Sequence, residues 1–404
     1  MNKWIAGLFA TVLVAGIARA DVGAPAPSAK DLEKVVEAVN YVETAKSGIV
    51  LSGYVDVGYV YNFSGALRGA GDAKQLRAPS DQTPKGDFSV NAVKITLEKP
   101  LTDANEFQAG FRVDLMTGED ASNTLGGSNS LGVAGESNGL LLEQAYVAVR
   151  APLGNGLDIK AGKFVTWLGY EVIERPANLN ITYGNLFQNA IPLYHTGISA
   201  EYAFNDIVDA GIAVVNGFNN DTTPAGAGRD EDGYGIMAKI NFTNPGQNAN
   251  WFHALYYGFG NNNTGADDEQ TLIYDTWGNW APTAFNDKLL LGINANIGHA
   301  DTGSATQDTA TWWGVALYAK YQFTDIFSLA GRADYLHSDE ELGSGFNTFT
   351  GSANGSHDQW SYTLTAGFDL LENLLVRAEY RVDVAETGGS DSSHTVALQA
   401  VYTF

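Results

Sequence analysis

The sequence lacks three features that would each point to a common class of protein. It has no cysteine among its 404 residues, so it is not a small disulfide-stabilised scaffold. Lys and Arg number 23 against 46 Asp and Glu, which argues against nucleic acid as a partner because phosphates need a basic surface. After residue 20, no apolar run reaches the ~20 residues of a transmembrane helix. Stability must therefore come from something other than disulfides or a helical membrane bundle.

The first residues have the pattern of an export signal. Lys3 gives a positive start, an apolar run extends to Ile17, and Ala18-Arg19-Ala20 is a small-x-small cleavage pattern. We predict a signal peptide over residues 1–20. The alternative, a transmembrane anchor, is disfavoured because the run is short for a span of ~20 residues. Since Lys3 and Arg19 leave with the signal, the net charge of −23 becomes −25.

Residues 21–47 predict a periplasmic spacer with one short helix. A Pro/Ala segment covers 21–28, and an apolar stripe at helical spacing follows within 30–46. The helix is too short to be stable alone. We expect it to pack against the base of the following domain or inside it, and a coiled-coil oligomerisation segment is the alternative.

From residue 48 to residue 404 the apolar period becomes two. For example, Val376, Ala378 and Tyr380 alternate with charged Arg377 and Glu379. Alternating segments of about ten residues occur at 49–62, 87–99, 105–117, 140–150, 156–169, 191–204, 207–217, 232–243, 250–260, 269–280, 287–299, 309–323, 326–337, 358–370, 373–384 and 394–404. Each is near the ~9–11 residues that a tilted strand needs to cross a bilayer. We predict an all-β fold, a transmembrane antiparallel β-barrel of about 16 strands.

Two further patterns separate this barrel from a soluble β-sandwich. Tight connections such as Asn205-Asp206 and Thr324-Asp325 alternate with long polar ones, as in bacterial outer-membrane barrels. The 19 Tyr, 19 Phe and 8 Trp suit two aromatic girdles. The chain ends on Tyr402 and Phe404 of one apolar face, which we interpret as the signal for membrane insertion by the barrel-assembly machinery. The predicted location is the bacterial outer membrane.

Three segments resemble a known family. They are Leu142-Glu-Gln-Ala-Tyr-Val147, Lys160-Ala-Gly-Lys-Phe-Val-Thr-Trp-Leu-Gly-Tyr-Glu171 and Pro192-Leu-Tyr-His-Thr-Gly197. Together they are similar to the bacterial outer-membrane β-barrel porin-2, or OmpL-like, family. The resemblance is sharpest over residues 142–202 and implies an outer-membrane porin over 48–404, without identifying the solute.

Charged residues on the strands should face the lumen. On the lipid face, a charge near the bilayer midplane costs about 2–4 kcal/mol. The predicted lumen wall comprises Arg112, Asp114, Arg150, Lys160, Arg332, Asp334, Arg377, Glu379 and Arg381, with Asp56, Lys94, Glu201, Asp209, Lys239, Lys320 and Asp383 on the same face. These charges either neutralise one another in a wet wall or select solutes directly.

The third long connection, residues 170–190, is unusually apolar for an exposed loop. We predict that it folds into the barrel and narrows it, with Glu171, Glu174 and Arg175 facing the water path opposite cations such as Arg112, Arg150 and Lys160. Acid on a loop against base on a wall sets up a transverse field that selects by charge. The alternative is a lid across the mouth or a contact with a neighbouring subunit.

The sequence predicts a channel rather than an enzyme, with no cofactor and no metal site. The six histidines lie apart, and a structural hydrogen bond is the expected role of His195. Acidic clusters at 230–232, 267–269 and 339–341 would attract cations at a pore mouth. We expect passive diffusion of small hydrophilic solutes, with cations favoured. The alternative is a non-channel barrel acting in adhesion or envelope anchoring. Expected partners are outer-membrane lipid and lipopolysaccharide, and analogy with 16-stranded porins suggests a homotrimer.

Overall fold

The computed structural model describes residues 48–63, 85–121, 140–217, 234–259, 270–286, 288–304, 307–339, 357–386 and 390–404. The predicted signal peptide, spacer and N-terminal helix lie outside these residues, as do the acidic clusters at 230–232 and 267–269. Of the third acidic cluster, only Asp339 is described. In the described part of the chain, no helix is long and apolar enough to cross a membrane.

Sixteen β-strands form the structure. They are β1 Val50–Asn62, β2 Lys85–Lys99, β3 Gln108–Thr117, β4 Leu141–Ala151, β5 Leu157–Val165, β6 Tyr194–Ala203, β7 Val208–Val215, β8 Tyr234–Thr243, β9 Ala249–Phe259, β10 Gln270–Trp280, β11 Leu289–Ser304, β12 Gln307–Gln322, β13 Phe327–Ser338, β14 His357–Leu371, β15 Leu374–Glu386 and β16 Ser390–Thr403. One short helix, α1 (Asn185–Asn189), and two single 3₁₀ turns, Arg175–Ala177 and Thr283–Phe285, complete the described elements. The predicted strand number and alternation are confirmed.

The sheet closes on itself into an antiparallel barrel. Each strand pairs with its neighbours in sequence, and β1 pairs with β16. At the seam, Gly53 and Phe404 exchange two backbone hydrogen bonds of 2.9 and 3.0 Å. Closure leaves no strand edge with unpaired peptide groups, which is the condition for a sheet to span a bilayer.

The two faces of the barrel differ sharply in chemistry. Apolar side chains such as Val147, Ile212 and Leu317 point outward and are 57, 65 and 53% exposed. The residues between them point inward and are buried, many of them polar or charged. Outward rings group at both ends of the strands, for example Trp313 and Trp360 toward the long loops. This arrangement is the lipid-facing band and aromatic girdles of an outer-membrane barrel.

Two strand ends differ from the sequence prediction. The fifth strand ends at Val165 instead of residue 169. The Thr166 N–H still bonds to the Leu193 carbonyl (3.0 Å), and beyond this bond the chain leaves the wall. The hairpin of β11 and β12 continues to Ser304 and Gln307, so the predicted long connection is short. The backbone hydrogen bonds between two strands can continue beyond the point where the apolar alternation stops, and only the alternation can be seen in the sequence.

Two β-bulges place additional polar side chains in the lumen. The register between β1 and β2 shifts at Asp56/Val57 and leaves Asn91 as an extra residue. That between β3 and β4 shifts at Asp114/Leu115 and leaves Glu143 as an extra residue. A bulge re-aims a side chain relative to simple alternation. As a result, the consecutive residues Glu143 and Gln144 are both buried.

Candidate functional site

The connection between β5 and β6, residues 166–193, lies inside the barrel and is called loop 3 here. All but four of its residues are buried. It contains the Arg175–Ala177 turn and helix α1, and its residues bond to walls on opposite sides of the lumen. The predicted inward fold of this loop is therefore found in the structure.

The two ends of loop 3 are attached to β10, β11 and β12. The N–H groups of Gly169 and Tyr170 bond to the side chains of Asp275 (2.8 Å) and Asn294 (3.3 Å). Gly169 has φ +87°, a conformation that favours glycine and turns the chain away from the wall. Near the other end, the Trp312 Nε1–H donates to the Ala190 carbonyl (3.2 Å).

On the β2–β4 side, one lysine contacts three carboxylates. The Lys94 ammonium lies 3.0 Å from Asp114 and 2.8 Å from Glu143, and it also bonds to Glu174 of loop 3. All four side chains are buried. This group, the Lys94 cluster, attaches the first half of the loop to the wall.

The Lys94 cluster has the spacing of a cation site. Donor oxygens of Asp114, Glu143 and Glu174 lie within 4.8 Å of one another, as a metal ion would require. The Lys94 ammonium occupies the position of that cation. One oxygen each of Glu143 and Glu174 is buried with no hydrogen-bond partner among the described residues.

Arg175 attaches loop 3 to the start of the preceding long connection. Its Nε lies 2.8 Å from an Asp120 oxygen, its Nη1 donates to the Ile181 carbonyl (2.7 Å), and its guanidinium stacks on Tyr183 at 4.0 Å. Burial opposes the charge of Arg175, but Asp120 outweighs burial and raises the pKa of Arg175 above its ordinary value.

On the opposite wall, three arginines of β13 and β15 bind the backbone of loop 3. Arg332, Arg377 and Arg381 donate to the carbonyls of Thr182 (2.6 Å), Asn178 (2.7 Å) and Tyr183 (2.5 Å). These charge-assisted bonds satisfy carbonyls that have no helix or sheet partner. The guanidinium donors are thus engaged with the loop.

Acidic groups of the same wall bind the N–H groups of the loop. Glu379 accepts from the N–H of Ile181 (2.5 Å) and of Thr182 (3.0 Å). Asp334 accepts from the Asn185 N–H (3.1 Å). Wall side chains of both signs therefore replace the backbone partners that a strand would have supplied.

Glu171 links the start of loop 3 to this wall. Its carboxylate lies 2.7 Å from Arg332 Nη1 and accepts from the Gly184 N–H at 2.6 Å. Burial raises the pKa of Glu171 above its ordinary value, although Arg332 and the Gly184 N–H act in the opposite direction.

The structure corrects the predicted environment of the loop charges. Glu171, Glu174 and Arg175 are inside the barrel, but they are only 5, 2 and 1% exposed instead of facing open water. Their nearest ionic partners are Arg332, Lys94 and Asp120. Strand spacing gives which residues face the lumen, but it does not give the depth at which the loop meets each wall. Whether these three groups set the narrowest point stays a prediction.

The predicted wall residues do face the lumen, and several lie away from loop 3. Arg150 pairs with Asp158 (2.6 Å) at the short-turn end of β4 and β5, which corrects its predicted position opposite the loop. Arg112 pairs with Asp114 (3.0 Å) and Glu98 (3.3 Å), and Lys160 with Glu201 (3.1 Å). Asp383 pairs with Arg381 at 2.6 Å. Most wall charges are therefore held in ion pairs.

Two other predicted sites have simple settings. His195 is buried between the Gly217 carbonyl and the Thr166 hydroxyl, each at 3.2 Å, so the structural hydrogen bond expected there is found. Phe404 closes the seam and Tyr402 is 46% exposed on the lipid face. Their role as an insertion signal stays a prediction.

Sequence reasoning missed Glu143 and Asp120. Glu143 enters the lumen only through the bulge, which alternation cannot indicate. Asp120 lies just after β3, at the start of one of the long connections that the sequence predicts to be polar. The consecutive polar residues Glu143 and Gln144 interrupt the alternation of this strand, and this interruption could have indicated the bulge.

Comparison with known proteins identifies the family. The family model described as β-barrel porin-2, OmpL-like, matches residues 48–404. The chain belongs to this family. It is an outer-membrane β-barrel of the porin type, as its sequence motifs predicted. Among curated protein sequences, none matches the chain.

Solved structures share the fold at low sequence identity. The outer-membrane channel DcaP of Acinetobacter baumannii is 14% identical, with a TM-score of 0.61 over 90% of this chain and 99% of that one. OprB of Pseudomonas putida is 12% identical, with a TM-score of 0.57 over 92 and 96%. An anion-selective porin from Comamonas acidovorans is 11% identical, with a TM-score of 0.57 over 89 and 100%.

Proposed function

We propose that this porin is a passive diffusion channel for small hydrophilic solutes that favours cations, and that solutes pass beside loop 3. The observation that supports the proposal most directly is that the barrel buries more acidic than basic side chains. Among the described residues, thirteen acidic and nine basic side chains are buried. An acidic surplus in a low-dielectric lumen stabilises a passing cation.

The distribution of the charges supports the same preference. Arg332, Arg377 and Arg381 donate hydrogen bonds to carbonyls of loop 3. They therefore have few donors left to bind a passing anion. The Lys94 cluster instead has three carboxylates for one ammonium. The β2–β4 side of the lumen therefore carries a local excess of negative charge, which attracts a passing cation.

The fold alone does not set the preferred sign. The Comamonas acidovorans porin is described as anion-selective and has a similar fold. Charge preference must therefore come from the side chains of each lumen. The burial of loop 3 also leads us to expect a small conductance, limiting solutes to small ones.

The test is single-channel recording in planar bilayers with Glu174→Gln and Glu171→Gln. The matched control is Asp325→Asn, which makes the same charge change in an exposed short turn. We expect cation preference to fall in the two loop variants and to stay in the control. If wild type and the three variants all show the same cation preference, the carboxylates of loop 3 do not select solutes by charge.

The non-channel barrel is the second candidate, and one observation favours it. Loop 3 is bonded to both walls and all but four of its residues are buried. In that case the protein would act in adhesion or envelope anchoring. Folded, heat-modifiable protein that gives no conductance steps would favour this candidate. Assembly by the barrel-assembly machinery, contact with lipopolysaccharide and a homotrimer are further proposals, and one solved OmpT structure of the same fold is a trimer form.

A further inference from the structure

Three buried oxygen atoms at the Lys94 cluster and beside it have no hydrogen-bond partner among the described residues. They are Oε2 of Glu143, Oε2 of Glu174 and the hydroxyl oxygen of Tyr54. The three side chains are 0, 2 and 3% exposed. Because a buried polar atom without a partner costs free energy, a group that binds oxygen atoms would stabilise this position.

Strand pairing places Tyr54 beside the Lys94 cluster. Tyr54 lies directly opposite Lys94 in the pairing of β1 with β2, and both side chains are buried on the lumen side. Residues in such opposite positions have Cβ atoms about 4.5–5.5 Å apart. The charges of Glu143 and Glu174 act on the Tyr54 phenol. Tyr54 therefore supplies a neutral oxygen next to two carboxylates.

The Lys94 ammonium uses only one oxygen of each glutamate. It bonds to Oε1 of Glu143 at 2.8 Å and to Oε1 of Glu174. The two oxygens of Asp114 both accept from Arg112 Nε as well, each at 3.0 Å. Oxygens of the three carboxylates lie within 4.8 Å of one another, which is the spacing that one metal ion requires. The unpartnered glutamate oxygens could thus bind a cation while Lys94 keeps its own bonds.

The charge of this region also favours a cation. The Lys94 cluster has three carboxylates and one ammonium, and Arg112 pairs with both Asp114 and Glu98. Two cations and four carboxylates leave a net charge of −2. Burying net charge is costly. A water molecule would bond to the unpartnered oxygens without changing this charge, whereas one divalent cation neutralises it.

We propose that Glu143, Glu174 and Tyr54 bind a calcium ion beside the Lys94 ammonium, with water supplying the remaining ligands. Calcium accepts oxygen ligands in irregular geometry, whereas magnesium requires a nearly regular octahedron. Glu143 belongs to β4 and Glu174 to loop 3, so the ion would attach the first half of the loop to the wall. The sequence predicts no metal site, and it cannot indicate this one because alternation does not place Glu143 in the lumen.

The test is calcium binding by the mature chain, refolded in detergent free of lipopolysaccharide, whose phosphates also bind calcium. By isothermal titration calorimetry, wild type should bind one ion more than Glu143→Gln and Glu174→Gln. Calcium should also raise the urea midpoint of wild type more than that of either variant, because a ligand bound only to the folded state stabilises it. Magnesium should have a smaller effect.

The matched control is Glu201→Gln. Glu201 is a buried wall glutamate that pairs with Lys160 and Lys239, so the change removes the same charge in another part of the lumen. Calcium binding and the calcium-dependent shift in the urea midpoint should both stay as in wild type.

Two further variants separate loss of a ligand from damage to the fold. Tyr54→Phe removes only the hydroxyl group and should weaken calcium binding. Lys94→Met removes the neighbouring positive charge and should strengthen calcium binding, although it destabilises the protein without calcium. A purely structural role of Lys94 would not produce that gain. These two variants also decide the proposal if Glu143→Gln fails to fold.

Three results would overturn the proposal. The first is a urea midpoint of wild type that does not respond to calcium. The second is equal calcium binding by wild type and Glu143→Gln, which would assign the ions to exposed acidic residues only. The third is a midpoint that responds to pH but not to calcium, which would mean that protons neutralise the cluster. Conductance is not a readout here, so failure of the channel proposal would leave this result intact.

Discussion

Replacing Lys94 by methionine removes the ammonium group that contacts three carboxylates at once. Methionine keeps most of the apolar stem of lysine, so the change acts on charge more than on packing. Asp114 retains Arg112 at 3.0 Å and Gln144 at 2.8 Å. Within the described structure, Lys94 is the only cation at salt-bridge distance from Glu143 and Glu174, and the substitution removes it.

The size of the effect follows from burial. Lys94, Glu143 and Glu174 are 2, 0 and 2% exposed. Removing one partner of a buried ion pair typically costs about 3–5 kcal/mol, because the remaining charge is buried without compensation. We expect a loss of this order in the free energy of unfolding. Part of it should return when a proton or a solution cation binds the carboxylate oxygens that have lost the ammonium group.

The assay combines stability with selectivity. Unfolding in urea from lipid vesicles measures the loss, and reversal potentials in a salt gradient measure the ion preference. Lys94→Met should be less stable and more cation-selective than wild type, and adding Glu174→Gln should restore part of both. A stability change below about 1 kcal/mol, the range of exposed ion pairs, with unchanged ion preference would refute the reasoning.

Three other perturbations test the anchoring of loop 3. Arg175→Met should cost about 3–5 kcal/mol by removing one partner of the buried Arg175–Asp120 ion pair, and Asp120→Asn in the same unfolding assay should cost less in the Arg175→Met background than alone. Because burial raises the folded-state pKa of Glu171 above its ordinary 4.5, the stability from this group is full below about pH 4.5 and is lost as pH rises through the folded value. Urea unfolding across this range should therefore show a flatter pH dependence in Glu171→Gln, and an equal slope would contradict it. Gly169→Val places a β-branched residue at φ +87° and should cost at least about 1–2 kcal/mol, with looser loop 3 seen as noisier single-channel current.

The strands could be predicted because the bilayer enforces their pattern. A charge facing lipid is costly, so period-two alternation survives along nearly the whole barrel, and Arg377 and Glu379 could be assigned to the lumen. Loop 3 could be predicted to fold inward because its apolar residues, such as Leu186 and Phe187, need cover that the lumen provides.

The partners across the lumen could not be predicted. They depend on strand tilt and on bulges, which set the depth at which each side chain meets the loop. The bulge at Glu143 adds a carboxylate that alternation does not place, and Arg150 lies too close to the short turns to reach the loop. The sequence also does not indicate that Arg332 and Arg377 donate hydrogen bonds to backbone carbonyls of loop 3.

The central claim is that an acidic lumen conducts small ions past loop 3 and favours cations. Its most direct test is the reversal potential of single wild-type channels in a planar bilayer under a salt gradient. The account predicts small, stepwise conductance with a reversal potential of the sign set by cations. Folded protein that gives no steps, or steps with anion preference, would contradict it.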